Sequence, residues 1–323
     1  MTAWPGPGWF RDLTGLDDDR AEAVRAAVAE VAPGVLLSRA NGRRMVAGAL
    51  HLPRLAELRA ATPGFGRGPA LALRERVGDA VALHLDPAQA GAVFQAASQA
   101  NLLEMTGPEV PPEAGIARYA FDRTQGPACA MSCGAGTLWR AYLVPLAGGA
   151  GQATGRQIDT LADLGRALGN TGGRYWTMRN GYALSSGEGA GAASRRIAAM
   201  DEGARDALRA CLRVGVQAGT EVTLATAGHR VTQVYAAAMP VAYDRAPARD
   251  WGPLARLVLE AAYEATLRAA LVHAGGDRPV QVFLTRLGGG AFGNDPAWID
   301  AAIDRALGVM AGAPLEVTLV TRG

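Results

Sequence analysis

The stretch Val280 to Gly308, VQVFLTRLGGGAFGNDPAWIDAAIDRALG, constrains the fold more than any other part of the chain. Val280, Val282, Phe283 and Leu284 form a near-continuous apolar run of β-branched and aromatic residues, the pattern of a buried strand. Gly288, Gly289 and Gly290 follow, then Ala291, Phe292, Gly293 and Asn294. Pro296 stands where a helix places its first residue, and Trp298, Ile299, Ala302, Ile303 and Ala306 recur at helical spacing. The segment reads as strand, glycine loop and helix. Glycines permit positive φ and close approach of the backbone to a ligand. The N–H groups of such a loop and of the helix start favour an anion, a diphosphate above all. A bare strand-to-helix turn uses the same elements, but this cluster is denser in glycine than a turn requires.

Length and composition set the frame. With 323 residues, 49% of them hydrophobic, the chain can build one large α/β domain or two small ones. The formal net charge is +2 and no long basic run occurs, so nothing points to nucleic acid. The three cysteines, Cys129, Cys133 and Cys211, form no regular framework and argue for a reducing compartment. Four scattered histidines, His51, His84, His229 and His273, offer no metal constellation. The first residues lack the plan of a secretory signal, and no apolar run reaches the length of a membrane span. The expected place is the cytoplasm, with no membrane partner.

Along the chain, residues 1–20 read as an arm lying over the domain. A helix is expected over about Arg20 to Ala32, capped by Asp18 or Asp19, and another over about Pro53 to Thr62. Together they predict an N-terminal helical extension, 1–80. Val81 to Leu85 reads as a strand. Val93, Phe94 and Ala96 read as a buried strand, and Gln95, Ser98, Gln99 and Asn101 cluster polar groups at its end. Ligands of open α/β sheets gather at the carboxyl ends of strands. Gln99 and Asn101 are therefore candidate ligand-binding amides, or else caps of a local turn. Gly126-Pro127 opens a short helix of small residues, with Thr124 or Gln125 near its cap, and Gly134 to Leu146 reads as a returning strand. A hairpin is expected around Arg179-Asn180-Gly181. Two strands are expected over Leu212–Gln217 and Gly219–Thr226, then a long helix over about Trp251 to His273, and a last strand over Leu315 to Val320.

QANLLEM, DRTQGPACAMSCGAGT and GGGAFGN, taken together, carry a resemblance. The set resembles the poly-ADP-ribose glycohydrolase (PARG) branch of the macrodomains, and within it the MavL-like subgroup of ADP-ribosyl-arginine hydrolases. The likeness covers about Ala90 to Val144 and Val231 to Arg322. It implies a macrodomain-like three-layer α/β/α fold with a mixed central sheet, in which residues 81–323 form the PARG-like domain. It implies ADP-ribose, or an ADP-ribosylated protein, as partner, and no cofactor. The loop Gly288, Gly289, Gly290, Ala291, Phe292, Gly293 and Asn294 is similar to the one that wraps the diphosphate and distal ribose. Gln99 and Asn101 match an Asn-rich loop facing that ribose, and Gln125 and Gly126 open the facing helix. The branch carries an aromatic over the ligand, for which Tyr235 and Tyr243 are the candidates.

Cleaving an N-glycosidic bond to arginine builds oxocarbenium character at the ribose. A carboxylate beside it stabilises that charge or takes a proton from the attacking water, and a second holds the guanidinium leaving group. Asp122 is the first candidate, Glu104 and Glu113 the others. The paired glutamates of PARG itself are absent, and the loop around Asp122 stands in their place. The subgroup's Pro-Glu-X-Gly turn carries Asp at X, where this chain has Ala114. The implied activity is removal of mono-ADP-ribose from protein side chains, arginine first. The alternative is an ADP-ribose-binding macrodomain without catalysis. A dinucleotide-dependent oxidoreductase fits less well, because the glycine loop lies late in the chain and no GxGxxG follows the first strand.

Overall fold

The computed structural model describes residues 4–185, 187–244, 246–273 and 279–321. Met1 to Ala3 of the arm, and Arg322 and Gly323 at the end of the expected 81–323 domain, lie outside the described residues.

Seven strands form the central sheet: β1 (Ala49–His51), β2 (Leu73–Val77), β3 (Val93–Ala97), β4 (Gly215–Glu221), β5 (Arg230–Ala236), β6 (Val280–Leu284) and β7 (Leu315–Thr321). Their spatial order is β1-β4-β5-β3-β6-β7-β2. The β1–β4 and β4–β5 pairs are antiparallel; β5–β3, β3–β6, β6–β7 and β7–β2 are parallel. The sheet is mixed, as expected, and five neighbouring strands point their carboxyl ends the same way.

Alternation along the strands makes three layers. Val93, Val234, Ala236, Val282 and Leu284 face one core, built with the long helix α4 (Ala248–His273) and with α5 (Pro296–Val309). Phe94, Val231 and Phe283 face the opposite side, with Cys133 following helix α2 (Gln125–Ser132). Successive strand side chains point to opposite faces, so apolar residues at both parities require cover on both sides.

The first 80 residues depart from the helices expected of them: the one expected to Ala32 covers only Ala21–Ala27, starts at Arg20 without a side-chain cap, and gives way to a strand. Val28–Ala32, Val35–Ser38 and Arg44–Val46 form a separate three-stranded antiparallel sheet, and β1 and β2 are the two edges of the central sheet. Three strand readings are corrected. Ala80–Leu85 is a helix, α1, because the Asp79 carboxylate accepts the N–H groups of Val81 and Ala82 and caps it. Gly134–Leu138 is the helix α3, continued by a π-helical turn over Trp139–Leu143. Its glycines press against neighbours: a side chain at Gly136 would lie 2.9 Å from both Gln217 and Thr220. The two strands expected between Leu212 and Thr226 are one, β4, whose register shifts between Gln217 and Thr220.

Candidate active site

The carboxyl ends of the parallel strands open into one cleft of about 370 Å³. Ala97 and Ser98 follow β3, Thr285 and Arg286 follow β6, Val320 and Thr321 end β7, Gly78 follows β2 and Ala238 follows β5. Three loops complete it: Gln99 to Thr106, Asp122 to Gly126, and the glycine loop from Leu287 to Phe292.

The glycine loop is pinned at its entry and clasped at its exit. The Tyr263 hydroxyl, from α4, donates to the Thr285 carbonyl (2.7 Å) and accepts the Leu287 N–H (2.8 Å). Asn294 closes the far end: its backbone N–H donates to the Gly288 carbonyl (2.9 Å) and its side-chain amide to the Met239 carbonyl (2.8 Å). Gly288 has φ +72°, and a Cβ there would lie 2.5 Å from the Ala238 methyl. Gly290 is different, because a Cβ there would meet nothing within 4 Å.

The loop after β3 is built by its own amides. Gln99 accepts the Met105 N–H (2.8 Å) and donates to the Met105 carbonyl (3.2 Å). Asn101 accepts the Leu103 N–H (3.1 Å) and donates to Gln157 (2.9 Å). Leu102 sits between them, fully buried with φ +64°, a backbone conformation that costs on the order of 1 kcal/mol and persists only where packing enforces it. The result is the delivery of Glu104 to the cleft. The residue is 5% exposed, and one of its carboxyl oxygens, Oε1, has no hydrogen-bond partner. Burial pushes the Glu104 carboxyl well above the usual carboxylate range; the Arg140 guanidinium opposes the rise and the Asp122 carboxylate adds to it.

Asp122 follows a 3₁₀ helix, Ala117–Phe121, and stands half-buried on the cleft wall. Its carboxylate accepts the Thr124 N–H (3.0 Å) just before α2. Two carboxyl groups in one cleft thus occupy different environments, one buried and biased to the acid form, the other half-buried and reaching solvent. Gly126, in the first turn of α2, has no room for a side chain, since the Ala97 carbonyl and the Glu104 carboxyl fill that space.

Of the expected site residues, Gln99, Glu104, Asp122, Gln125, Gly126, Tyr243, Gly288, Gly290, Ala291 and Phe292 line the cleft. Gln125 does so with its amide engaged on β3, accepting the Ala97 N–H and donating to the Gln95 carbonyl. Asn101, Gly289, Gly293 and Asn294 are not brought to the cleft surface; Asn101 and Asn294 brace the loops from behind. Glu113 is exposed and away from it, accepting the Thr154 N–H and hydroxyl. Of the two candidate tyrosines, Tyr235 is fully buried under the Arg140 guanidinium, whereas Tyr243 reaches the cleft.

Sequence reasoning missed Tyr182, Arg286 and the tails of β2 and β7. Tyr182, Tyr243 and Phe292 form an aromatic wall with ring centroids 5.0, 5.3 and 5.6 Å apart. Tyr182 begins the second strand of the Asn180-Gly181 hairpin, a position that marks it only once the hairpin is folded over the cleft. Arg286, paired with Asp300 at 2.7 Å, is the cation of the lining. Among the described residues, no group of three or more His, Cys, Asp or Glu side chains is placed to hold a metal ion. Among them, too, no helix is long and apolar enough to cross a membrane.

No family model matches the sequence, and no curated protein matches it. Solved structures do. The chain is similar to poly(ADP-ribose) glycohydrolase from Thermomonospora curvata at 16% identity and TM-score 0.46, over 93% of this chain and 89% of that one. The same enzyme bound to the inhibitor ADP-HPD gives 15% and 0.45, with the same coverage. A mutant of the Deinococcus radiodurans enzyme in complex with ADP-ribose gives 13% and 0.42, over 85% and 88% of the two chains. Identities and scores in this range assign no family.

Proposed function

We propose that this cleft binds ADP-ribose and that the chain is a hydrolase releasing mono-ADP-ribose from protein side chains, arginine first. The observation that carries the reading is the meeting of Glu104, Asp122 and the glycine loop in one cleft at the carboxyl ends of five parallel strands. Glycine-loop backbone and Arg286 suit a diphosphate; the aromatic wall of Tyr182, Tyr243 and Phe292 suits a flat ring or a ribose face. The three sequence motifs that resemble the MavL-like subgroup fall on the loops of this cleft, which supports the same ligand.

The two carboxyls divide the chemistry by environment. Water attacks the anomeric carbon of the distal ribose, and Asp122, the solvent-facing carboxylate, accepts its proton. The bond to the guanidino nitrogen breaks with its electron pair going to nitrogen. Glu104, held in the acid form by burial, supplies the proton that nitrogen takes. Water is added across the N-glycosidic bond, giving ADP-ribose and free arginine. No metal or redox cofactor enters these steps, and the expected setting is the cytoplasm.

A binding module without catalysis is the second reading. Ala114 favours it: the Pro-Glu-Ala-Gly turn offers no carboxylate at that position, and its Glu113 is spent on Thr154. Calorimetric titration with ADP-ribose, beside AMP and NAD, tests the ligand; an ADP-ribosyl-arginine release assay tests the reaction. One-site binding stronger for ADP-ribose than for AMP, with release, supports the hydrolase. Binding without release selects the module. No binding at millimolar ligand, an affinity weaker than about −4 kcal/mol, rejects both.

A further inference from the structure

The two carboxyls of the cleft hang from one short element that is bolted from far away in the sequence. The 3₁₀ helix Ala117–Phe121 ends at Asp122, whose backbone N–H donates to the Tyr119 carbonyl. The Tyr119 hydroxyl accepts the backbone N–H of Glu104 at 2.9 Å. The same turn therefore fixes Asp122 directly and Glu104 through one hydrogen bond.

The N-terminal segment holds this turn at three points. The Trp4 indole N–H donates to the Ala120 carbonyl at 2.7 Å. The Trp9 indole N–H donates to the Ala117 carbonyl at 3.0 Å. The Asp19 carboxylate accepts the Ala117 N–H at 2.8 Å, and it fills the space where a side chain at Gly115 would stand. Trp9, Phe10 and Leu13 share a buried cluster with Tyr119 and with Leu103 and Met105, the residues on either side of Glu104. None of Trp4, Trp9 and Asp19 lines the cleft.

We propose that Trp4, Trp9 and Asp19 are positioning residues that set the separation of Glu104 and Asp122, so that the N-terminal segment is part of the reaction machinery and not only packing. The inference rests on the hydrolase reading of the cleft. Its physical ground is that catalytic groups must be held to a fraction of an ångström, and a displacement of about 1 Å costs on the order of a hundredfold in rate. Indole N–H groups on backbone carbonyls fix both distance and angle, which apolar packing of the same rings does not.

The test uses the full chain with three variants: Trp4→Phe with Trp9→Phe, Asp19→Ala, and Asp19→Asn. The Phe substitutions keep an aromatic ring and remove the donor; the smaller ring also costs packing at buried Trp9, which the melting temperature reports. Three readings are taken on each: the rate of ADP-ribose release from an ADP-ribosyl-arginine protein, the ADP-ribose Kd by calorimetry, and the titration of the Glu104 carboxyl by ¹³C NMR, assigned by its loss in Glu104→Gln. The expected result is a fall in kcat of roughly ten- to a hundredfold with KM and Kd within about twofold of the parent. The Glu104 midpoint moves toward the ordinary carboxylate range, and Asp19→Asn, which keeps an oxygen acceptor, recovers most of the loss seen in Asp19→Ala. Unchanged kcat and midpoint overturn the proposal, as does a loss in which kcat, ADP-ribose affinity and melting temperature fall together. If the parent binds ADP-ribose but releases none, the hydrolase reading fails on its own, and an unmoved Glu104 midpoint then decides against positioning.

Discussion

The hydroxyl of Tyr119 accepts the backbone N–H of Glu104 at 2.9 Å, so a residue three positions before Asp122 anchors the other carboxyl of the cleft. Glu104 itself is buried, with Arg140, Asp122, Tyr119, Tyr182, Tyr235 and Cys129 among its charged or titratable neighbours. Its carboxyl keeps the proton in the folded state at pH values where the unfolded chain has lost it. That contribution to stability is complete below the ordinary value of 4.5 and is lost as pH rises through the raised folded value. Glu104→Gln removes the titration. The melting-temperature difference between variant and parent therefore shifts in the variant's favour as pH rises above the ordinary carboxylate range. If Glu104 supplies the leaving-group proton, kcat of the variant falls on the order of a hundredfold or more, and the alkaline limb of the parent's pH–rate profile disappears. Calorimetric unfolding and the release assay across that pH range check both.

Asp122 is better probed with Asn than with Ala. The Asn side chain retains an oxygen for the Thr124 N–H, so the start of α2 keeps its support while the negative charge is lost. Asp122→Asn is expected to bind ADP-ribose as the parent does and to release it from arginine roughly a hundredfold more slowly. Equal rates in parent and variant would remove Asp122 from the reaction.

Away from the cleft, Glu264 is the centre of an ion-pair network that ties α4 to its neighbours. Its carboxylate meets Arg59 at 2.7 Å, Arg268 at 2.9 Å and Arg305 at 2.9 Å. Burial opposes its charge, but hydrogen bonds from Arg59 and Arg305 prevail and bring it down to about 2. The stabilisation is present above the ordinary value of 4.5 and is lost as pH falls through about 2. Glu264→Gln removes the shared counter-charge of one buried guanidinium, Arg268, and of Arg59 and Arg305, which are partly exposed and keep Asp206, and is expected to cost about 3 kcal/mol at pH 7. Denaturant unfolding at pH 7 and at pH 2 reads the effect, which shrinks at the lower pH.

The glycine loop is legible in the sequence because three signals coincide there: an apolar run, consecutive glycines, and Pro296 before a helical period. Val81 to Leu85 is not, because a five-residue stretch with four apolar residues has no period that separates a strand from a helix turn, and the deciding feature is one side chain, the Asp79 cap. The amides after β3 are conspicuous as a cluster, yet both Gln99 and Asn101 bond within their own loop; composition reports that polar groups are present and not where they point. Glu104 becomes distinctive through burial, and Tyr182 through the folding of a hairpin more than 70 residues away over the loop, where its hydroxyl donates to the Met105 carbonyl. Long-range packing of this kind leaves no local trace in the residues it brings together.

Two glycines of the loop separate structural from ligand requirements. Gly288 has φ +72° and a Cβ there would lie 2.5 Å from the Ala238 methyl and 2.7 Å from the Asn294 amide nitrogen. Gly288→Ala is therefore strained in its backbone and crowded in its packing, and is expected to lower the melting temperature and ADP-ribose affinity together. Gly290→Ala adds a methyl where nothing lies within 4 Å, so the free protein has no reason to lose stability. A diphosphate drawn against the loop backbone would meet that methyl. Gly290→Ala is expected to melt with the parent and to bind ADP-ribose about tenfold more weakly, the loss of about 1.4 kcal/mol that one blocked backbone approach accounts for. Parallel calorimetry of the two variants decides the matter: an unaltered Kd in Gly290→Ala would mean that the ligand does not approach the loop at this point, whatever Gly288→Ala does.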